Sequence, residues 1–179
     1  MNLVLDLDGT LIADNSGKNI IPRPYVDEFL DFAFKKFKNV GVWTAASPGW
    51  AEEVIDKLFS PVQKRKLSFI WTDDMCDSDI RGYVIKPLKK IWTSPALKKK
   101  GFKKENTIIL EDTHRNCKKN LGNNIIVKPY RLNYKMANDD SLRRLSLLLD
   151  WHFFGGGSKL GGRKKSPLRS VNFLEWGLN

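Results

Sequence analysis

Short apolar runs recur along the chain at residues 3–7 (LVLDL), 40–43 (VGVW), 67–71 (LSFIW) and 107–110 (TIIL), with a weaker fifth at 125–127. Runs of this length, rich in β-branched and aromatic residues and apolar on both faces, predict strands of a parallel sheet covered on both sides. Stretches with helical periodicity separate them. From Pro24, where a missing N–H is harmless in a first turn, Val26, Phe29, Leu30, Ala33 and Phe37 form one stripe that ends near Lys38 and Asn39. A second helix is expected over 49–59, with Ser47 as cap, Pro48 in the first turn, Ala51, Val54, Ile55 and Leu58 on one face and Pro61 as its stop. A third, over 139–153, carries Leu142, Leu145, Leu148 and Leu149. Strand and helix patterns in alternation predict an α/β domain with a central parallel sheet.

The pattern fails after Phe154. GGGSKLGGRKKS reads as a flexible linker, and VNFLEWGLN beyond it is apolar enough to dock. The expected organisation is a domain over 1–154, a linker over 155–166 and a C-terminal arm or tail over 167–179. An apolar segment behind a flexible hinge permits an arm-exchanged homodimer; the alternative is a disordered tail.

Composition narrows the class. A chain of 179 residues with 41% hydrophobic and 28% charged residues has the make-up of one ordinary globular fold. No apolar stretch approaches the roughly 20 residues of a membrane helix, so no membrane partner is expected. Met1 leads directly into a strand-like run without a basic leader, which predicts an intracellular, nuclear or cytoplasmic, location. Cys76 and Cys117 have neither metal-ligand spacing nor a CxxC pairing, which argues against a disulfide framework or a zinc site. The formal charge of +11, with lysines gathered at 35–38, 98–104 and 163–165, suggests an anionic partner. Nucleic acid is the weaker candidate, because each cluster also reads as a solvated face.

Ligands of an open α/β sheet bind beyond the carboxyl ends of its strands. The first run ends at Asp6 and Asp8, the second at Thr44, and the fourth at Glu111 and Asp112. Four carboxyl groups and a hydroxyl therefore gather at one rim. Such crowding is unfavourable without a cation, and hard oxygen ligands select Mg²⁺ over Zn²⁺. Asp6 is then placed to attack phosphorus and form an acyl phosphate, and Asp8 to protonate the leaving oxygen and afterwards activate water. Asp73, Asp74, Asp77 and Asp79 read as a solvated loop near the mouth of the site, and Trp50 as a residue to watch for a peptide groove.

These residues carry a resemblance. DLDGTL at 6–11, VWTA at 42–45 and ILED at 109–112 are similar to the first, second and acidic fourth motifs of the haloacid dehalogenase superfamily. RPYVDEFLDFAFKKFKNVGVWTAASPGWAEEVIDKLF at 23–59 and YVIKPLKKI at 83–91 resemble its FCP/SCP phosphatases, which act on the C-terminal domain (CTD) of RNA polymerase II. The resemblance spans about residues 3–153. It implies a Rossmann-type three-layer fold without a large cap and a Mg²⁺-dependent phosphatase acting on phosphoserine or phosphothreonine in proteins. It also implies roles: Asp6 as nucleophile and metal ligand, Asp8 as acid/base that also lends its carbonyl to the metal, Thr44 and Lys86 as phosphate-binding groups, Asp112 as metal ligand, and Glu111 as support for Lys86 or a metal-bound water. Lys86 is favoured over Lys89 from the alignment of that segment. Two positions depart from the common pattern: Gly9, where many members have Glu, and Glu111-Asp112, where they have Asp-Asp or Asp-Asn. The alternative functions are a phosphatase for small metabolites, nucleotides or nucleic-acid termini, and a non-catalytic anion-binding module.

Overall fold

A computed structural model describes residues 1–14, 19–131 and 138–155. Nearly all of the expected linker and the whole expected arm, and with them the arm-exchanged dimer, lie outside the described residues. In chain order the elements are β1 (Asn2–Leu5), α1 (Val26–Lys36), β2 (Asn39–Trp43), α2 (Pro48–Leu58), α3 (Pro61–Lys66), β3 (Leu67–Trp71), a hairpin of β4 (Asp77–Ser78) and β5 (Val84–Ile85), α4 (Lys89–Thr93), α5 (Pro95–Lys99), β6 (Thr107–Glu111), β7 (Asn124–Ile126) and α6 (Ser141–Leu149). The last helix continues into a π-helical turn at Asp150–Phe154.

Five strands form a parallel sheet in the order β3-β2-β1-β6-β7. Successive side chains along a strand point to opposite faces, and that alternation divides the core. Leu3, Leu5, Val40, Val42, Ile108 and Leu110 face the layer of α1, α2 and α6, where Phe29, Leu30, Val54 and Leu145 cover them. Val4, Trp43 and Ile109 face the other side, against Leu88, Ile91, Leu97 and Phe102 from around α4 and α5. Gly41 belongs to this second face and has no side chain because the Phe69 ring occupies the space that its Cβ would need. The three layers follow from strands that are apolar on both sides. Among the described residues no cap domain is inserted: those between β1 and α1 form a compact loop, and those between β3 and α4 form the small hairpin.

Several local expectations are corrected. β1 stops at Leu5, not residue 7, so Asp6 and Asp8 lie on the turn beyond it. Helix α1 begins at Val26 rather than Pro24, because Tyr25 takes a left-handed conformation (φ 63°) between them. Ser47 occupies the cap position of α2 without a capping hydrogen bond from its side chain. Pro61 opens α3 instead of merely closing α2. Ser60 and Gln63 cap it reciprocally, each side chain accepting from the other's backbone N–H.

Buried Arg23 ties the β1 turn to the rest of the fold. It donates to the carbonyls of Thr10 (3.2 Å) and Lys128 (3.0 Å) and to Asp139 (2.9 Å). Burial pushes the Asp139 carboxyl up, but the hydrogen bond and charge of Arg23 prevail and hold it below the usual carboxylate range. Asp139→Asn is expected to cost about 1.5–3 kcal/mol, the worth of a hydrogen bond to a charged group. A group whose native pKa is depressed stabilises above its unfolded pKa and loses that effect as pH falls through the native value. Denaturant titrations of wild type and variant should therefore differ at neutral pH and converge in strongly acidic solution.

Candidate active site

Between β1 and β6 the strand order reverses direction, and the crevice at such a switch point is where open α/β sheets place their ligands. Asp6 follows β1 there, its N–H extending the ladder to Leu110 O (3.0 Å). The chain then turns sharply, with the N–H groups of Thr10, Leu11 and Ile12 converging on Leu7 O. Gly9 makes this turn possible: its φ is +76°, and a Cβ there would overlap Oδ2 of Asp112.

An open cleft of about 520 Å³ lies above these strand ends, lined among others by Asp6, Asp8, Thr44, Lys86, Glu111 and Asp112. All six residues singled out from the sequence meet in it. Lys86, 1% exposed, donates to Asp6 Oδ1 (2.5 Å) and Glu111 Oε2 (2.7 Å). Lys89 is exposed on α4 and is not among the lining residues. Thr10 Oγ1 donates to the other oxygen of Asp6 (2.8 Å), so both oxygens of that carboxylate are held. Asp8 Oδ1 accepts from Trp50 Nε1 (2.9 Å). Thr44 Oγ1 accepts from Ala46 N–H (3.1 Å), which leaves its own hydrogen for another acceptor.

The electrostatics are those of a crowded acidic site. Burial pushes Asp6 up to about 7, with Glu111 adding to the effect and Lys86 and Thr10 opposing it. Burial likewise raises Asp8 against the Trp50 hydrogen bond, Asp112 with help from Asp6, and Glu111 in spite of Lys86. For Lys86 burial alone would favour the neutral amine. The adjoining Asp6 and Glu111 override it and raise its pKa. Carboxylate oxygens of Asp6, Glu111 and Asp112 come within 4.8 Å of one another. An all-oxygen set of this kind fits Mg²⁺.

Some supporting residues were not anticipated. Thr10, within the DLDGTL motif, holds Asp6 through its hydroxyl. Asn116 and Asn120 position the lysine and its acid: the Asn116 backbone carbonyl accepts from Lys86 N–H (2.8 Å) and its side-chain amide donates to Glu111 (3.1 Å), and Asn120 donates to Lys86 O (2.8 Å) while accepting from Leu88 N–H (2.8 Å). Asparagines in a polar loop carry no periodic signal. In the acidic loop, Asp77 pairs with Lys90 (2.9 Å) and Asp79 with Lys118 (2.5 Å), and neither joins the carboxylate cluster. His114 is exposed and is not among the residues lining the cleft.

Comparison with known proteins decides the family. Residues 1–155 match the family described as NLI interacting factor-like phosphatase. The chain belongs to this family. Among the curated relatives, the CTD phosphatase-like protein 355R of Invertebrate iridescent virus 6 is 32% identical over 84% of this chain and 98% of its own length. The ubiquitin-like domain-containing CTD phosphatase 1 of Drosophila melanogaster is 31% identical over 80% of this chain, which covers 46% of that protein. The structure of Fcp1, an essential RNA polymerase II CTD phosphatase, superposes with a TM-score of 0.53 at 14% identity, over 94% of this chain and 57% of that one. The chain thus spans about half the length of the fly relative and of Fcp1, and nearly all of the viral protein. The fold is the one that the phosphatase resemblance implied. Among the described residues no helix is long and apolar enough to cross a membrane.

Proposed function

We propose that residues 1–154 form a Mg²⁺-dependent phosphatase that removes phosphate from phosphoserine or phosphothreonine in a protein chain through an aspartyl-phosphate on Asp6. The observation that carries this reading is Lys86, buried and shared between Asp6 and Glu111 at the floor of an open cleft with Asp8 and Thr44 at its side. Asp6, Asp112 and the backbone carbonyl of Asp8 would hold the metal, with Glu111 beside them. Bound there, Mg²⁺ supplies the positive charge that offsets the acidic cluster and neutralises phosphoryl oxygens.

An oxygen of Asp6 attacks phosphorus as the bond to the seryl or threonyl oxygen breaks, and protonated Asp8 gives its proton to that leaving oxygen. Burial favours the protonated form of Asp8, which suits it to the acid role. The Asp8 carboxylate then takes a proton from a water that attacks phosphorus, which frees phosphate and restores Asp6. Lys86 and Thr10 fix the nucleophile, and the Thr44 hydroxyl donates to a phosphoryl oxygen. Among the described residues no cap covers the cleft, which suits it to an extended peptide. The CTD phosphatases among the relatives make an RNA polymerase II CTD phosphopeptide the first substrate to try.

Assays with phosphopeptides, nucleotides and 3′- or 5′-phosphorylated oligonucleotides, with and without Mg²⁺, test the reading. Preferential Mg²⁺-dependent hydrolysis of phosphopeptides is expected; faster turnover of nucleotides or nucleic-acid termini would replace the substrate class, and no release from any substrate would refute catalysis. Asp8→Asn should lower turnover by about 10²–10⁴-fold, the usual contribution of a general acid/base. Trp50→Phe keeps an aromatic side chain, smaller than the indole, but loses the hydrogen bond to Asp8. It should reduce kcat by about tenfold while KM moves little, as expected for loss of a hydrogen bond to a charged group.

A further inference from the structure

The edge of the sheet opposite the cleft is strongly basic. Lys38 directly precedes β2, Lys66 directly precedes β3, and Lys98, Lys99, Lys100, Lys103 and Lys104 crowd the turn that leads into β6. All seven are exposed, and the five within 98–106 have a single acid, Glu105, among them. Among the described residues none of the seven makes an ion pair. The register of the parallel strands brings the segments together: Asn2 lies opposite both Asn39 and Thr107, and Val40 opposite Leu67. Lys100 Nζ donates to Ser68 O (2.6 Å), and the Lys38 ammonium lies against Gly101.

This turn is held rigidly. Asn2 donates to Gly101 O (3.1 Å) and to Asn106 (2.9 Å), Asn39 to Lys100 O (2.9 Å), Asn106 to Gly101 O (3.0 Å) and Asn123 to Lys104 O (2.6 Å). Phe102, fully buried, anchors it from beneath. Amides at the strand starts therefore hold the lysine-bearing backbone in place. Unpaired like charges on a fixed backbone repel one another, and a partner that brings a dense row of anions relieves the repulsion.

We propose that this basic edge binds the phosphate backbone of double-stranded nucleic acid without sequence preference, leaving the cleft at the other end of the strands free. Lysines offer point charges to phosphates and little that reads a base edge. With Phe102 buried, the turn offers no aromatic platform on which single-stranded bases would stack.

The test is fluorescence anisotropy of a labelled mixed-sequence duplex DNA titrated with the full chain over a range of salt concentrations. If about five lysines engage phosphates, log Kobs should fall with log salt at a slope of about −4 to −5. The combined variant Lys98→Glu, Lys99→Glu, Lys103→Glu and Lys104→Glu should bind at least tenfold more weakly, with a shallower slope. Its aryl-phosphate hydrolysis and Tm should stay those of wild type, which separates this surface from the catalytic reading. If the glutamates cost the fold, the four Lys→Gln substitutions carry the same expectation with a smaller loss. The basic segment 163–165 is tested separately as Arg163→Ala, Lys164→Ala and Lys165→Ala, which should retain most of the affinity. Undiminished binding by the 98–104 variants, loss confined to the 163–165 variant, or preference for polyglutamate over the duplex would each overturn the proposal.

Discussion

Asp6→Asn is expected to reduce Mg²⁺-dependent phosphate release by about 10³-fold or more while the chain stays folded. The loss follows from the chemistry, since an amide oxygen cannot serve as the nucleophile that the carboxylate provides. Persistence of the fold follows from the surroundings. In the native site Lys86 is shared by Asp6 and Glu111, and burial with the nearby Glu111 pushes Asp6 up to about 7. Replacing the charge with an amide relieves that crowding. Lys86 keeps Glu111, and the single amide oxygen remains an acceptor for one of the two donors, Lys86 or Thr10. A melting temperature within a few degrees of wild type, measured beside activity on an aryl phosphate, is the expected pair of results. Normal turnover by the variant would remove Asp6 from the nucleophile role, whereas an unfolded variant would contradict the account of the buried cluster.

Lys86→Ala should produce the largest loss of stability. It strips the cation from two carboxylates that are themselves 3% and 1% exposed, and breaking a buried ion pair in this way costs about 3–5 kcal/mol. For a domain of this size the shift in Tm is on the order of 10 °C. Its pH dependence has a definite sign. Buried carboxylates without their partner have native pKa values above their unfolded ones, so they destabilise the fold at neutral pH and cease to do so once both states are protonated. The gap between wild type and Lys86→Ala should narrow on acidification. Lys89→Ala, at an exposed position, should change stability by no more than about 0.5 kcal/mol. Thermal melts of the two variants over a pH series compare them directly, and equal effects would mean that the buried triad does not stabilise the fold as argued.

The strands were legible because a sheet covered on both faces needs uninterrupted apolar runs, and nothing else in this chain supplies them. Placing the chemistry followed from the same rule, since the polar residues that end such runs fall on one rim of a parallel sheet. Boundaries were less legible. Whether a proline after a helix only stops it or starts another depends on a cap such as the Ser60 and Gln63 pair, and the two-residue strands of the 77–85 hairpin are too short to show a period. The supporting groups were the least visible. Trp50 reads from the sequence as a groove residue but spends its indole N–H on Asp8, and Asn116 and Asn120 acquire their importance only when the loop after β6 folds back onto Lys86.

Gly9 and Asp112, more than a hundred positions apart, occupy what is in effect one volume. Evolution therefore cannot treat them independently: in a descendant that acquires a β-carbon at the first, the acid at the second must swing to another rotamer. Covariation between these two columns, traced through lineages with and without glycine, would be the historical imprint of that shared space.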